Sequence, residues 1–418
     1  MMFGAKGKSI LQRRSWLWIS LVCLLVTITA CTVGTFETTV EPVGDEPLKW
    51  FGGYVNILQQ SAEFYGGAEA ARIAETVLAY QSANGGWPKN YDRIAERSAD
   101  VLQQIYQARE ARDDTTFDNG ATHSEVQFLA RMYQATGDER YNEAALNGID
   151  FMLIAQFENG GWPQKYPGYT QSITFNDDAM IGVMTVLYDI ARGDTLYAFV
   201  DGARREKAAD AVEKGIAVIL QTQIVVDGNL TAWCAQHDRH TLKPQTARSY
   251  EPPSISGLES VGIVRFLTRI EEPGPEVVAA IEGAVAWFES AKLTGIRVDR
   301  IEDASLEKGF DLVVVEDATA PPLWARFYDI DTNQAIFPDR DGSVYDSLND
   351  LSYERRTGYN YLTDKPASLL YEEYPTWKQA QQPQANSTAL YIVFAGCVVI
   401  GTVFVGFILW RRHRRQMP

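Results

Sequence analysis

Asp118 and Asn119 stand in the turn-forming stretch FDNGATHSEV (117–126), and Asn176, Asp177 and Asp178 stand in FNDDAM (175–180), each just ahead of a helical pattern. Acids at a helix N-terminus serve as caps that favour the dipole. Two such clusters on one rim would also make an oxygen-rich pocket suited to a hard cation such as calcium. The residues alone leave both readings open. TAWCAQHDRHTLKPQTARSYEPPSISGLES (231–260) is denser, with Gln236, His237, Asp238, His240, Lys243, Arg248, Tyr250 and Glu251 on a segment stiffened by Pro244, Pro252 and Pro253. Long irregular loops of this kind tend to carry function. His237 and His240 have no third ligand at fitting spacing, so His237 reads as a structural residue. FPDRDG (337–342) and YERRTGYNY (353–361) add Arg340, Arg355, Arg356, Tyr359 and Tyr361. With Lys89 and Lys243 these arginines supply cations to an otherwise acidic chain, and Arg grips carboxylates through two parallel hydrogen bonds.

The elements that must position these groups are announced by a repeated phrase. QSANGGWPKN (81–90) and QFENGGWPQK (156–165) share Gln-x-x-Asn-Gly-Gly-Trp-Pro, 75 residues apart, and QTQIVVDGNLTAWC (221–234) is a looser third copy. GGAEAARIAETVLAYQ (66–81) sets Ile73, Val77 and Tyr80 on one helical face. Thr122 with Glu125, and Ser256 with Glu259, have capping-box form. Further helices are predicted over Glu139–Gln156, Asp177–Arg192, Arg204–Gln223, Gly257–Ile270 and Pro275–Lys292, and β-like runs such as DLVVV (311–315) come late. Each phrase follows the second helix of a pair, with Gly-Gly turning the chain at a common rim, which predicts an incomplete α/α toroid of helical hairpins with long irregular loops and a few short strands. Gln81, Gln156 and Gln221 would then serve the scaffold by amide hydrogen bonds. Trp87, Trp162 and Trp233 either pack between repeats or stack on a sugar ring at the rim.

Both ends of the chain read differently from its middle. Lys6, Lys8, Arg13 and Arg14 precede the apolar run Trp16–Ala30, the arrangement of a secretory signal over residues 1–31, and Ile28-Thr29-Ala30-Cys31 has the form of a loose lipobox. Residues 32–47 read as a linker, 48–372 as the catalytic domain, 373–388 as a Pro/Gln-rich stalk, 389–410 as a transmembrane helix and 411–418 as a basic cytoplasmic tail. The expected product is an exported monomer, anchored to a membrane with its domain outside the cytoplasm. Removing both ends takes away eight Lys or Arg and no acid, so the formal charge of −16 becomes −24 for the exported part. Such a balance argues against nucleic acid as a partner. Cys234 alone remains in the domain, too few cysteines for an internal disulfide.

GGWPKN, FDNGAT, GGWPQKYP, FNDDAM, WCAQHD, LKPQTAR-x-YE, S-x-SGLES, FPDRDG and ERRTGYNY, running in that order from about residue 50 to 372, resemble the pectate lyases of polysaccharide lyase family 10. The resemblance implies an α/α toroid and calcium-assisted β-elimination on polygalacturonate, giving 4,5-unsaturated galacturonides. It puts the Brønsted base on Arg248 and the Ca²⁺ pocket on Asp118 with Asp177 or Asp178. Substrate contacts fall on Lys89, Lys243, Arg340 and Arg356, with Asn119, Trp162, Tyr250 and Tyr359 beside them. β-Elimination draws negative charge onto the uronate carboxylate, so calcium needs acids and the polyanion needs Arg and Lys. Three rival readings fit less of the chain. A prenyl-processing toroid would need an apolar cavity and Asp-x-Asp-Asp, where this chain has Asn-Asp-Asp. A glycosidase would use a carboxyl pair such as Asp118 and Asp178 and would need neither Arg248 nor calcium. A non-catalytic pectin-binding protein would keep the fold and lose activity.

Overall fold

The structure is a computed structural model that describes residues 47–51, 54–169 and 171–381. Apolar stripes at helical spacing become α1 (Ala68–Tyr80), α2 (Ala99–Gln107), α3 (His123–Thr136), α4 (Glu139–Ile154), α5 (Ala179–Ala191), α6 (Gly202–Thr222), α7 (Glu259–Thr268) and α8 (Pro275–Ser290). The helices α3 and α4, α5 and α6, and α7 and α8 form antiparallel hairpins, with α3, α5 and α7 side by side in one layer and α4, α6 and α8 in the other. This is the incomplete α/α toroid that the repeated phrase predicts. The core between the layers holds Val126, Leu129, Met152, Val183, Leu187, Ile219, Ile263 and Phe288, all essentially inaccessible to water.

The phrase is a set of stitches between repeats. Gln81 Nε2 donates to Gly85 O in its own turn and to Ala144 O on α4, both at 2.9 Å. Gln156 Nε2 does the same to Gly160 O (3.0 Å) and Ala211 O on α6 (2.8 Å). In the third copy the residue that reaches Thr231 O (2.8 Å) and Ala280 O on α8 (2.9 Å) is Gln223, while Gln221 is exposed on α6. The spacing therefore misleads by two residues, because α6 runs further before its turn. The indoles are equally regular: Trp87 Nε1 donates to Val77 O, Trp162 to Met152 O and Trp233 to Ile219 O, at 2.8, 2.8 and 2.7 Å. A fourth, Trp324, donates to Phe288 O at the end of α8 (2.8 Å), with no phrase around it. All of these indoles are fully buried. Gly85 and Gly160 make the turns possible, since each has positive φ (+94° and +99°) and a Cβ there would lie 2.3 Å from a carbonyl of the next repeat, Asn147 O or Lys214 O.

Short strands connect the helical hairpins to the loops. β1 (Ser172–Thr174) pairs antiparallel with β2 (Gln236–Asp238), Ile173 facing His237. β3 (Ile255–Ser256) joins a four-stranded antiparallel sheet with Phe327–Tyr328, Ala335–Pro338 and Val344–Tyr345. The run DLVVV lies in the strand Phe310–Glu316, hairpin partner of Ile296–Glu302. Two expectations are corrected. Thr122 does not cap α3: its φ is +67°, and its hydroxyl joins Trp87 N to Thr116 O instead. Glu125 is thereby free to accept from Arg93 and Tyr91 in the core. The stalk does not begin at residue 373 either. Tyr374–Gln381 is helical, Trp377 belongs to the core, and Arg265 grips Glu373 through two hydrogen bonds. Residues 1–46 and 382–418, with the predicted signal, most of the linker, the rest of the stalk, the membrane span and the basic tail, lie outside the described residues. Among the described residues no helix is long and apolar enough to cross a membrane.

Candidate active site

Each acid-bearing stretch folds into a tight turn at the start of a helix. Thr116 N donates to Trp87 O and Thr174 N to Trp162 O, both at 3.0 Å, so the same stitch that ends one repeat positions the turn of the next. The turn Asp118–Gly120 then leads toward α3, and Asn176–Asp178 leads into α5. Asn119 and Asp177 adopt nearly identical left-handed conformations, φ +53° and +50°, at equivalent places. Asn and Asp tolerate that region best among residues with a Cβ. Asp118 is buried and its Oδ2 is bound by Lys89 Nζ, whose side chain stays partly in solvent. Asn119 is half-buried.

The proline-rich loop delivers Arg248. His237 anchors its base: Nε2 accepts from Cys234 N (3.2 Å), so Nδ1 is the protonated nitrogen and donates to Leu242 O (2.9 Å). Burial pushes the pKa of His237 down to about 4, which keeps it neutral and structural, as expected from its spacing. Further along, a turn closed by Glu251 N on Arg248 O (2.8 Å) brings the two side chains together. Arg248 Nε and Nη2 donate to Glu251 Oε2 and Oε1 at 2.9 and 2.7 Å, and Tyr359 Oη donates to Oε1 at 2.6 Å. Burial opposes the charge on Arg248, but the Glu251 pair outweighs it and holds the guanidinium more firmly protonated than usual. Tyr250 is packed among Arg355, Arg340 and Arg248, whose guanidinium carbons lie 4.4, 5.3 and 5.1 Å from its ring centre.

Between these parts lies a residue that the sequence reading did not single out. Arg326 is buried, bonds Glu259, lies 3.7 Å from Asp177 Oδ1, and sits 4.5 Å from the Tyr359 ring. Its signal was the lone cation inside the apolar run LWARFY (323–328), and Glu259 was visible only as a cap. Ser256 does not complete a capping box on α7, whose N-cap is Leu258: its Oγ accepts from Glu259 N at 3.1 Å, but its own N–H goes to Trp233 O and the Glu259 carboxylate turns to Ser256 Oγ and Arg326. Burial raises the Asp177 carboxyl to about 6; Arg326 and Arg248 oppose the shift, and Glu259 and Asp118 reinforce it. Arg326 thus bridges Glu259 and Asp177 at the place where the two acid turns pack together.

Three expected site residues, Trp162, Arg356 and Asp178, fall elsewhere, and the other positions vary in exposure. Trp162 is fully buried, with its N–H committed to Met152 O, so its ring cannot stack on a ligand. Arg356 is a strut: Nε and Nη2 grip Asp311 at 2.7 and 2.6 Å, and Nη1 donates to Leu351 O. Its neighbour Arg355 faces Tyr250 instead, sharing Glu354 with Arg340. Asp178 parts company with Asp177 and lines a separate cleft with His123, Gly262, Arg265 and Lys365. Lys243 is exposed on the loop after β2, and Arg340 is exposed with its guanidinium on Glu354. Tyr250 is largely covered, and Tyr359 spends its hydroxyl on Glu251.

Among the described residues no three His, Cys, Asp or Glu side chains gather as a metal cluster. The two turns nevertheless have spare oxygen. Asp118 Oδ1 and Asn176 Oδ1 are buried without a hydrogen-bond partner, and such atoms ordinarily signal water or an ion. Carboxylate and amide oxygens are the donors a hard cation takes, so Asp118, Asn176 and Asp177 fit calcium in chemical type.

The protein family described as pectic acid lyase matches residues 81–370. A family 10 polysaccharide lyase from Cellvibrio cellulosa is 34% identical, with a TM-score of 0.62, over 74% of this chain and 93% of its own. An alanine-substituted form of a family 10 polysaccharide lyase from the same organism, in complex with trigalacturonic acid, matches at the same identity and coverage with a TM-score of 0.63. A search among curated proteins gave no match.

Proposed function

The chain belongs to the pectic acid lyase family, and from that premise we propose that it cleaves polygalacturonate by calcium-assisted β-elimination with Arg248 acting at the C5 proton. It is a polysaccharide lyase. The trigalacturonic acid held by the similar solved lyase supports a galacturonate polymer as the substrate. In the elimination the C5–H bond breaks, its electron pair forms the C4=C5 double bond, the C4–O bond breaks, and the departing chain takes up a proton. The C5 proton becomes removable only if charge can spread into the uronate carboxylate. Calcium held by Asp118 and Asp177, with Asn176 oxygen in reach, would supply positive charge to that carboxylate. Lys89, Lys243 and Arg340 are solvent-reaching cations suited to neighbouring uronates.

The observation that carries this reading is the meeting of the two acid turns, where Asp118 Oδ1 and Asn176 Oδ1 are buried without a partner and Arg326, 3.7 Å from Asp177, links them through Tyr359 and Glu251 to Arg248. Arg248 is a guanidinium at rest, so as a base it works only when alkaline conditions and a neighbouring cation favour its neutral form. The full chain incubated with polygalacturonate should give product absorbing in the ultraviolet with calcium and none with a chelator. New reducing ends without that absorbance would mean hydrolysis and overturn the reading. Arg248→Lys separates two roles: a base loses roughly a thousandfold or more in kcat, whereas a carboxylate clamp mainly raises KM.

A further inference from the structure

Arg248 is held from one side only. Glu251 takes Nε and Nη2 together and also accepts from the Arg248 amide at 3.3 Å. Among the described residues Nη1 has no hydrogen-bond partner, and the Arg248 side chain is 51% exposed while Glu251 is 2% exposed. The buried carboxylate is itself fixed by Tyr359 Oη, whose ring lies over Arg326, the counter-ion of Glu259 and neighbour of Asp177. A chain of contacts therefore runs from Arg248 through Glu251 and Tyr359 to the acids of the candidate metal pocket. A free arginine has many rotamers of similar energy, and a fork held on two nitrogens by a buried carboxylate has few. That is how a residue is held to the tolerance that catalysis requires.

We propose that Glu251 is a positioning residue for the elimination, aiming Arg248 so that Nη1 is the nitrogen presented to the substrate, with Tyr359 fixing Glu251 in turn. The proposal rests on the reading that Arg248 acts on the substrate. It does not require Glu251 or Tyr359 to touch the polymer. A purely structural ion pair would affect folding and leave the kinetics of the folded fraction alone. Positioning predicts a loss in kcat that depends on Arg248 being present.

The test is a cycle of Arg248→Lys, Glu251→Gln and the double variant, in the full-length protein with calcium and polygalacturonate. Glu251→Gln keeps the shape and one acceptor, so the fold is expected to persist. It should lower kcat about tenfold or more while KM moves by less than about threefold. In the Arg248→Lys background the same change should cost less than about twofold more, because the interaction it acts through is already gone. Full additivity, or an unchanged kcat in folded Glu251→Gln, would overturn the proposal. If Glu251→Gln fails to fold, Tyr359→Phe takes its place in the cycle under the same two criteria, since it removes one donor and nothing else. Failure of the underlying reading looks different: Arg248→Lys alone would keep both kcat and KM of the parent.

Discussion

The two acid turns share one backbone and differ in what hangs from it. Both follow a Phe, both hold a left-handed residue at the same place, and both are tied to the Trp carbonyl of the preceding repeat. At the inner position the first turn has Asp118 and the second has Asn176; at the next, the first has Asn119 and the second Asp177. The carboxylate is thus displaced by one residue between otherwise matching frames. One consequence is electrostatic: Asp118 keeps the cation Lys89 on it, while Asp177 is half-buried close to Glu259 and Asp118 and has its pKa pushed up to about 6. A repeat fold gives copies of a position for little cost in folding, and side-chain divergence at those copies is what turns a symmetric rim into an asymmetric site.

The sharpest way to break this comparison is to remove the displaced carboxylate. Asp177→Asn gives the second turn amides at both positions and should lower kcat/KM by about a thousandfold or more, roughly 4 kcal/mol of transition-state stabilisation. Calcium affinity, read by titration calorimetry, should fall with it. Stability should not fall, because a carboxyl whose folded pKa is raised is favoured when protonated and works against the fold once pH rises through about 6. Moving the acid instead of removing it, with Asn176→Asp and Asp177→Asn together, should not restore the rate. A variant of either kind retaining more than about a tenth of parental kcat/KM would show that the offset carries no chemistry.

The frame of this comparison was legible in the sequence and the circuit was not. GGWP and the apolar stripes locate the helices of the toroid to within about two residues, because backbone turns and buried faces are local requirements, whereas α2, which buries no residue, is not among the predicted helices. Asp118, Asp177 and Arg248 were also visible, as polar residues out of keeping with their neighbours. Arg326 and the partnership of Arg248 with Glu251 were not, since both depend on which segments meet in space. Trp162 shows the reverse failure: the phrase marks it correctly, but whether an indole at a turn faces solvent or core depends on a carbonyl at Met152. Arg355 and Arg356 are adjacent, and the short helix Tyr353–Gly358 that holds them sends one to Tyr250 and the other to Asp311, a choice no spacing rule predicts.

A buried histidine stands behind each turn, and this pair sharpens the contrast. His237, edge-on to Phe175 of the second turn, has both ring nitrogens satisfied, whereas His123, just after the first, has neither. Burial lowers both pKa values to about 4, against about 6.5 in an unfolded chain. Their contribution to stability is therefore complete above about pH 6.5 and is lost as pH falls toward 4, up to about 3 kcal/mol for each. Thermal unfolding followed from pH 7 to pH 4 should show this loss, and His237→Gln should flatten the slope over that window even if it lowers the melting point throughout. An unchanged slope would mean that His237 takes up its proton in the native state as readily as in the unfolded chain.

The smallest expected effect tests whether the frame is as regular as the turns suggest. Gln223 is buried and its amide makes both the hydrogen bond to its own loop and the one to α8, as Gln81 and Gln156 do for earlier repeats. Gln223→Ala removes both hydrogen bonds, to Thr231 O and to Ala280 O, and should cost about 1–3 kcal/mol by denaturant unfolding. Gln221, the residue that opens the phrase, is exposed on α6, and Gln221→Ala should change stability by less than about 0.5 kcal/mol. The two substitutions are chemically identical and two positions apart, so helix propensity and side-chain entropy cannot account for a difference of that size. If Gln221→Ala proved as costly as Gln223→Ala, the stitch would not be the amide pair, and the shared backbone of the two acid turns would need another source of register.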